Sequence, residues 1–259
     1  MRQVFAVCER ELRALVRQPV AWVISGIYLL LHAVSFAQLM EGYSRNSLRL
    51  LSTATEAPDF TLVDRVLRPL LVADSFVLMI LLPALTMRLL ADEWRQGTSD
   101  LLLTYPLRER HIVVGKFLAA FAIAATMVLL GSVSMAATSL FGNLEWPVFL
   151  LGTFGLLLFV AMVVALGIAA SATTENQVLA FASTLMVLLL MLAGSYWGLR
   201  AEAPWDAVFR HLSFTGHVGH FAFGEWRVSS TFFFLGLIAI YLYAATGLLG
   251  RRRWSGGGG

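Results

Sequence analysis

His217 and His220 stand three residues apart, with His211 and Glu225 nearby, a spacing that sets two imidazoles on one helix face within reach of a metal ion. The surroundings argue the other way. Trp205, Phe209, Phe214, Phe221, Phe223 and Trp226 crowd the same stretch, and aromatics at this density suit the headgroup level of a membrane. A structural role is therefore expected for these histidines, and no metal site is assigned. Asp74, with Pro83 further along the same apolar run, could mark a solute path through a bilayer. A helix-end carboxylate and a packing kink account for the pair more simply. Gly115-Lys116 resembles the end of a phosphate-binding loop, but Arg110 stands where that motif needs glycine and Phe117 where it needs Ser or Thr. HExxH, GxSxG and CxxC do not occur. The chain is read as no enzyme and as carrying no ATPase site; if it does work, another protein supplies the energy.

One segment stands apart from its apolar neighbours. Residues 91–115, ADEWRQGTSDLLLTYPLRERHIVVG, carry Asp92, Glu93, Arg95, Asp100, Arg108 and Arg110 between two hydrophobic runs. Gly97 closes one helix, Thr98 or Ser99 caps the next, and Pro106 stops it. The remaining helix, residues 99–105, is about 10 Å long. That is far too short to cross a membrane. A capped, partly apolar peg holding Leu101, Leu102 and Leu103 is a shape for docking into another protein's groove.

The elements around this peg are membrane spans. The apolar fraction is 58 % against 14 % charged, and the mean hydropathy is +0.76, outside the range of a soluble domain. Six spans are expected, at about 19–40, 69–90, 117–141, 147–171, 177–199 and 228–250, since a bilayer needs about 20 apolar residues. With the N-terminus inside, 12 of the 19 Lys and Arg fall on the inner face. The positive-inside rule then puts both termini in the cytosol. The basic balance reports topology, and nucleic acid is not an expected partner, because no stacking aromatics interleave with a basic patch.

Residues 1–18 read as an amphipathic helix lying in the inner interface, with Val4, Phe5, Cys8, Leu12, Leu15 and Val16 at helical spacing. A single cysteine excludes an intrachain disulfide. No cleavable signal peptide is expected behind so charged a leader. Residues 41–68 are expected to form an outer loop turning at Pro58-Asp59. Small residues, among them Gly152, Gly155, Gly194 and Gly198, allow helices to approach closely. The whole of 1–255 reads as one transmembrane domain, all-α and polytopic. The glycine run 256–259 resembles a linker or tag remnant and is set aside.

The run Leu82-Pro83-Ala84-Leu85-Thr86-Met87-Arg88, followed by Ala91-Asp92-Glu93, Gly97-Thr98, Leu101-Leu102-Leu103-Thr104, Pro106 and Gly115-Lys116-Phe117, resembles the signature region of ABC-2-type transporter permeases. Within them it is most similar to the gliding-motility (GldF-like) branch, which shares Ser213-Phe214-Thr215-Gly216-His217 and the basic tail Arg251-Arg252-Arg253-Trp254. Copper-enzyme maturation permeases are a close alternative. Asp92 and Asp100 depart from the branch's glutamates but keep the charge. The resemblance implies a type V exporter-like fold with an interfacial helix and a cytosolic coupling helix, in the bacterial inner membrane. It implies a permease subunit for export or envelope-linked movement, or else a non-transporting scaffold that transmits ATPase motion to an extracytoplasmic partner. ATP and Mg would sit on two cytosolic ATPase subunits, with no cofactor on this chain. A second permease copy or a related permease, and an auxiliary subunit with an extracytoplasmic domain, are further implied partners. Coupling would rest on Glu93, Gly97, Thr98, Leu101, Leu102, Leu103, Thr104 and Pro106. A dimer and translocation interface along spans two and five would involve Met79, Pro83, Leu188, Gly194 and Gly198.

The topology has a direct check. In sealed cells an impermeant maleimide should label a cysteine placed at Ser52 and spare Cys8. Labelling of Cys8 from outside would sink the six-span arrangement.

Overall fold

The structure is a computed structural model that describes residues 2–53, 61–91, 109–140, 144–198, 200, 202 and 205–255. All regular structure among these residues is helical. In chain order the helices are α1 (Arg2–Arg17), α2 (Pro19–Thr53), α3 (Arg68–Thr86), α4 (Glu109–Ala137), α5 (Trp146–Thr173), α6 (Gln177–Gly198), α7 (Trp205–Leu212), α8 (Phe214–Ala222) and α9 (Val228–Ser255). A π-helical turn, Val63–Leu67, runs straight into α3. Six stretches are long and apolar enough to cross a bilayer: Pro19–Leu50, Val63–Thr86, Glu109–Leu140, Trp146–Thr173, Gln177–Gly198 and Val228–Gly250.

Two boundaries differ from the sequence reading, and both matter below. The first span does not give way to a loop at residue 41. Its helix continues to Thr53, for 35 residues in all, or about 52 Å where the hydrocarbon core needs about 30 Å. Glu41 and Arg45 pair one turn apart on this extension, the kind of local support that lets a helix persist in water. The Pro58-Asp59 turn lies outside the described residues. The second span starts at Val63 rather than near Pro69. Thr61 caps it by accepting the Asp64 backbone N–H at 3.1 Å, and Arg68 neutralises Asp64 one turn on. Asp74 therefore lies at mid-span instead of at a helix end.

α5 is the centre of the bundle. It packs against α3, α4, α6, α8 and α9, and Phe159, Val160, Met162, Val163, Val164 and Ala165 are completely buried. A helix apolar on every side is one buried on every side. Lipid tails are as apolar as leucine, so what draws helices onto α5 is close packing rather than escape from water. Gly155 shows how close. A Cβ there would fall 2.4 Å from the Phe221 Cβ of α8, and one at Gly167 would fall 2.0 Å from the Thr86 Oγ1 of α3.

The aromatics of residues 205–226 suit the headgroup level as a group, and the structure divides them. Trp205, Phe223 and Trp226 are exposed, whereas Phe214 and Phe221 are wholly buried. Phe214 lies 4.8 Å from the Phe159 ring of α5. α8 thus dips into the bundle, and α7 leans on α6.

Gly155→Leu should cost about 1–3 kcal/mol through overpacking and lower the thermal midpoint of the detergent-solubilised chain by several degrees. Gly236→Ala, where nothing lies within 4 Å, should leave it unchanged. Equal midpoints for both variants would contradict the close packing of α8 on α5.

Candidate functional site

The peg residues Glu93, Gly97, Thr98, Leu101, Leu102, Leu103, Thr104 and Pro106 lie outside the described residues. The two stems that carry them are described, and both are anchored. On the incoming side α3 carries Pro83 in its last turn, and the Thr86 hydroxyl donates to the Leu82 carbonyl at 3.0 Å. Leu89, Leu90 and Ala91 then run buried up to the segment. On the outgoing side Ile112, Val113 and Lys116 of α4 are buried at once. Both stems therefore belong to helices that are themselves packed on α5.

α1 is clamped to the outgoing stem. Val7, Glu11 and Leu15, four apart and so on one helical face, are its buried residues. Gly115 makes the approach possible, because a Cβ there would meet Val7 Cγ1 at 2.6 Å. At the centre of this contact Lys116 Nζ donates to Glu11 Oε2 at 3.1 Å, and Arg10 donates to Oε1 of the same carboxylate at 2.6 Å. Lys116 is 2 % exposed, so the sequence reading of it as one more inner-face positive charge is corrected: it is a buried counter-ion. Phe5 and Val16, on the apolar face expected to lie in the membrane interface, are exposed. Burial alone would push the Glu11 carboxyl up, but Lys116 and Arg10 together hold it below its ordinary value. Burial also raises the Cys8 thiol, so the exposed Arg13 is the more reactive position for a labelling cysteine.

Met79, Pro83, Leu188, Gly194 and Gly198 were expected where two permeases meet. All five are buried inside this one chain. α3 and α6 pack on each other, and a Cβ at Gly194 would stand 2.9 Å from the Phe209 carbonyl oxygen of α7. The glycine thus seats an intrachain helix, because small residues serve close contacts of either kind. The outward side chains of the same helices are Phe76, Ile80, Met186 and Leu190.

His217 of α8 is held by contacts on both ring nitrogens. A carbonyl only accepts, so His217 Nε2–H donates to the His211 oxygen at 3.1 Å, and Nδ1 then accepts from the Ser230 hydroxyl at 3.0 Å. The ring also stacks 4.0 Å from Phe233. Both nitrogens are used. Among the described residues no group of three His, Cys, Asp or Glu is placed to hold a metal ion.

A bundle of six apolar spans, an N-terminal helix bound to the third and a short polar segment on two rigid stems defines a helical membrane subunit. Residues 5–202 match the sequence model of the ABC-2 family transporter proteins, and the chain belongs to that family. It is a multi-pass permease, the membrane component of an ABC transporter rather than its ATPase. No curated protein matches the chain.

The clamp sets a measurable expectation. Glu11→Gln removes the counter-charge of a buried ammonium and should cost about 3–5 kcal/mol. The double change Glu11→Leu with Lys116→Met should recover most of it. Since the folded carboxyl titrates below its unfolded value of about 4.3, the pair's stabilisation is complete above that pH. It is lost as pH falls through the lower folded value. Thermal unfolding of the purified chain between about pH 3 and 7 reads both effects, and a Glu11→Gln midpoint equal to wild type would exclude the clamp.

Proposed function

We propose that this permease couples ATP hydrolysis by two separate cytosolic ATPase subunits to export of an amphipathic or polymeric substrate across a bacterial inner membrane, with residues 92–108 as the coupling element. The observation that carries this reading is the pair of anchored stems. A peg on loose loops would dissipate a push, whereas α3 and α4 transmit it to α5 and through it to the rest of the bundle. Glu93 would supply a charged contact or a helix-end interaction, and Leu101, Leu102 and Leu103 the apolar contact in the ATPase groove. The charge distribution supports cytosolic termini and therefore an inward-facing peg.

One chain encloses no large hydrophilic route, so transport is assigned to the seam between two permeases, either two copies or a related pair. Because Met79 and Leu188 are buried, the proposed seam is taken along outward side chains of α3 and α6 such as Phe76, Ile80, Met186 and Leu190.

Leu102→Asp should leave membrane insertion intact and reduce substrate-stimulated ATPase activity and transport at least tenfold, since a charge in an apolar groove is strongly disfavoured. The measurement is ATPase activity of the permease–ATPase complex in liposomes, alongside co-purification of the two subunits. Normal binding and normal coupling in the variant would remove the peg from the mechanism.

A further inference from the structure

Asp74 of α3 lies at mid-span and is 4 % exposed. His32 of α2, equally buried, places Nδ1 3.0 Å from both carboxyl oxygens of Asp74. Its Nε2 lies 2.9 Å from the Ser134 hydroxyl of α4. Tyr28, one turn before His32, is completely buried, and its hydroxyl faces Asp74 without completing a hydrogen bond. Gly131 makes room for the group, since a Cβ there would come within 3.3 Å of both the Tyr28 hydroxyl and the His32 ring. Three spans thus converge on one polar cluster inside an otherwise apolar bundle.

The hydrogen bonds count the protons. Ser134 donates its own hydrogen to the Gly131 carbonyl at 2.8 Å, so it accepts from His32, and Nε2 carries hydrogen. Nδ1 then faces a carboxyl group, and an ionised carboxylate only accepts. The contact therefore holds a proton, on Nδ1 or on Asp74. Without it, an imidazole lone pair would face a bare carboxylate in apolar surroundings, which is the costly arrangement for a membrane interior. Beside the pair lies a cavity of about 20 Å³ lined by His32, Asp74, Ser132 and Thr153 among apolar neighbours. The titratable groups facing this site are Tyr28 and His32 from α2 and Asp74 from α3. α4 and α5 contribute only hydroxyls, Ser132, Ser134 and Thr153.

We infer that His32 and Asp74 form an intramembrane proton-binding site whose occupancy holds span one against spans two and three, so that release of the proton frees span one to move. Span one is suited to this. Only 22 % of its apolar window is buried, against 61 % for α5, so the polar contact is a large share of what fixes it. The reaction is simple binding. A proton passes between bulk water and the His32–Asp74 contact, and no other group changes. The site makes the permease responsive to pH independently of how it engages an ATPase.

The test uses the full chain in liposomes and infrared pH-difference spectra from about pH 3 to 10, a range that takes in the ordinary carboxyl and imidazole titrations. Subtracting the Asp74→Asn spectrum from wild type should leave a carboxyl band that titrates together with an imidazole band, the latter moved by ¹³C-histidine labelling. A flat difference would overturn the proposal and make the pair a static strut. Should Asp74→Asn fail to insert, Ser134→Ala keeps both titrating groups and removes only the Nε2 partner. Its midpoint should shift by about one pH unit, and an unmoved midpoint overturns the proposal equally. Spin labels at the exposed Ser44 and Leu140 should separate as the proton leaves, and a distance constant through the titration would refute the link to span one.

Discussion

The bundle depends on one constraint: α5 must be touched closely by five helices that gain nothing from hiding apolar surface. In water, burial of its Phe, Val and Leu side chains would contribute roughly 25 cal/mol per Å². In lipid that driving force is absent, and van der Waals fit replaces it. Gly155 and Gly167 let Phe221 and Thr86 sit where a methyl group would otherwise stand. Through these approaches α8 is drawn into the bundle, and α3, the stem of the peg, is fixed to the centre. α9 packs on α5 along one face, but it and α2 turn most of their surface outward, with 17 % and 22 % of their windows buried. They are the elements with the most surface left for lipid or for a partner.

Polar pairs do what packing does not in the first half of the chain. A charge out of water must have its counter-charge in contact, or the cost is several kcal/mol. Glu11 with Lys116 binds α1 to α4, His32 with Asp74 binds α2 to α3, and Asp64 with Arg68 secures the start of α3. The exposed pairs Glu9–Arg13 and Glu41–Arg45 are screened by solvent and contribute only a few tenths of a kcal/mol. Burial, more than charge count, separates the ties that organise the molecule from those that decorate it.

These buried ties were the least legible part of the sequence. Glu11 sits four residues from both Val7 and Leu15, beside the apolar stripe of α1 rather than on it, and the spacing does not mark it as buried. Lys116 likewise looked like one more inner-face positive charge. Asp74 was read as a helix-end carboxylate because the span was started at Pro69. Starting it at Val63, past the charges of Asp64, Arg65 and Arg68, puts the same residue at mid-membrane. Lone charges near apolar runs look alike in sequence, because partners 42 and 105 residues away leave no local signature.

What the sequence determined by itself follows from short-range physics. Runs of about 20 apolar residues must be helical in a bilayer, because every backbone group has to be satisfied within the segment. Spacing in α1 makes one face apolar, and glycine, hydroxyl and proline punctuate the segment between the second and third spans. Membership of the permease family was legible at that segment for the same reason. The tertiary structure alone decided which face of each helix meets which neighbour. It turned Met79, Leu188 and Gly194 inward, sent Phe214 and Phe221 into the core while Trp205 and Trp226 stayed out, and brought His32 to Asp74. Those choices depend on shape complementarity between helices far apart in the chain, and in a membrane, where lipid and protein interior are equally apolar, hydropathy carries no record of them.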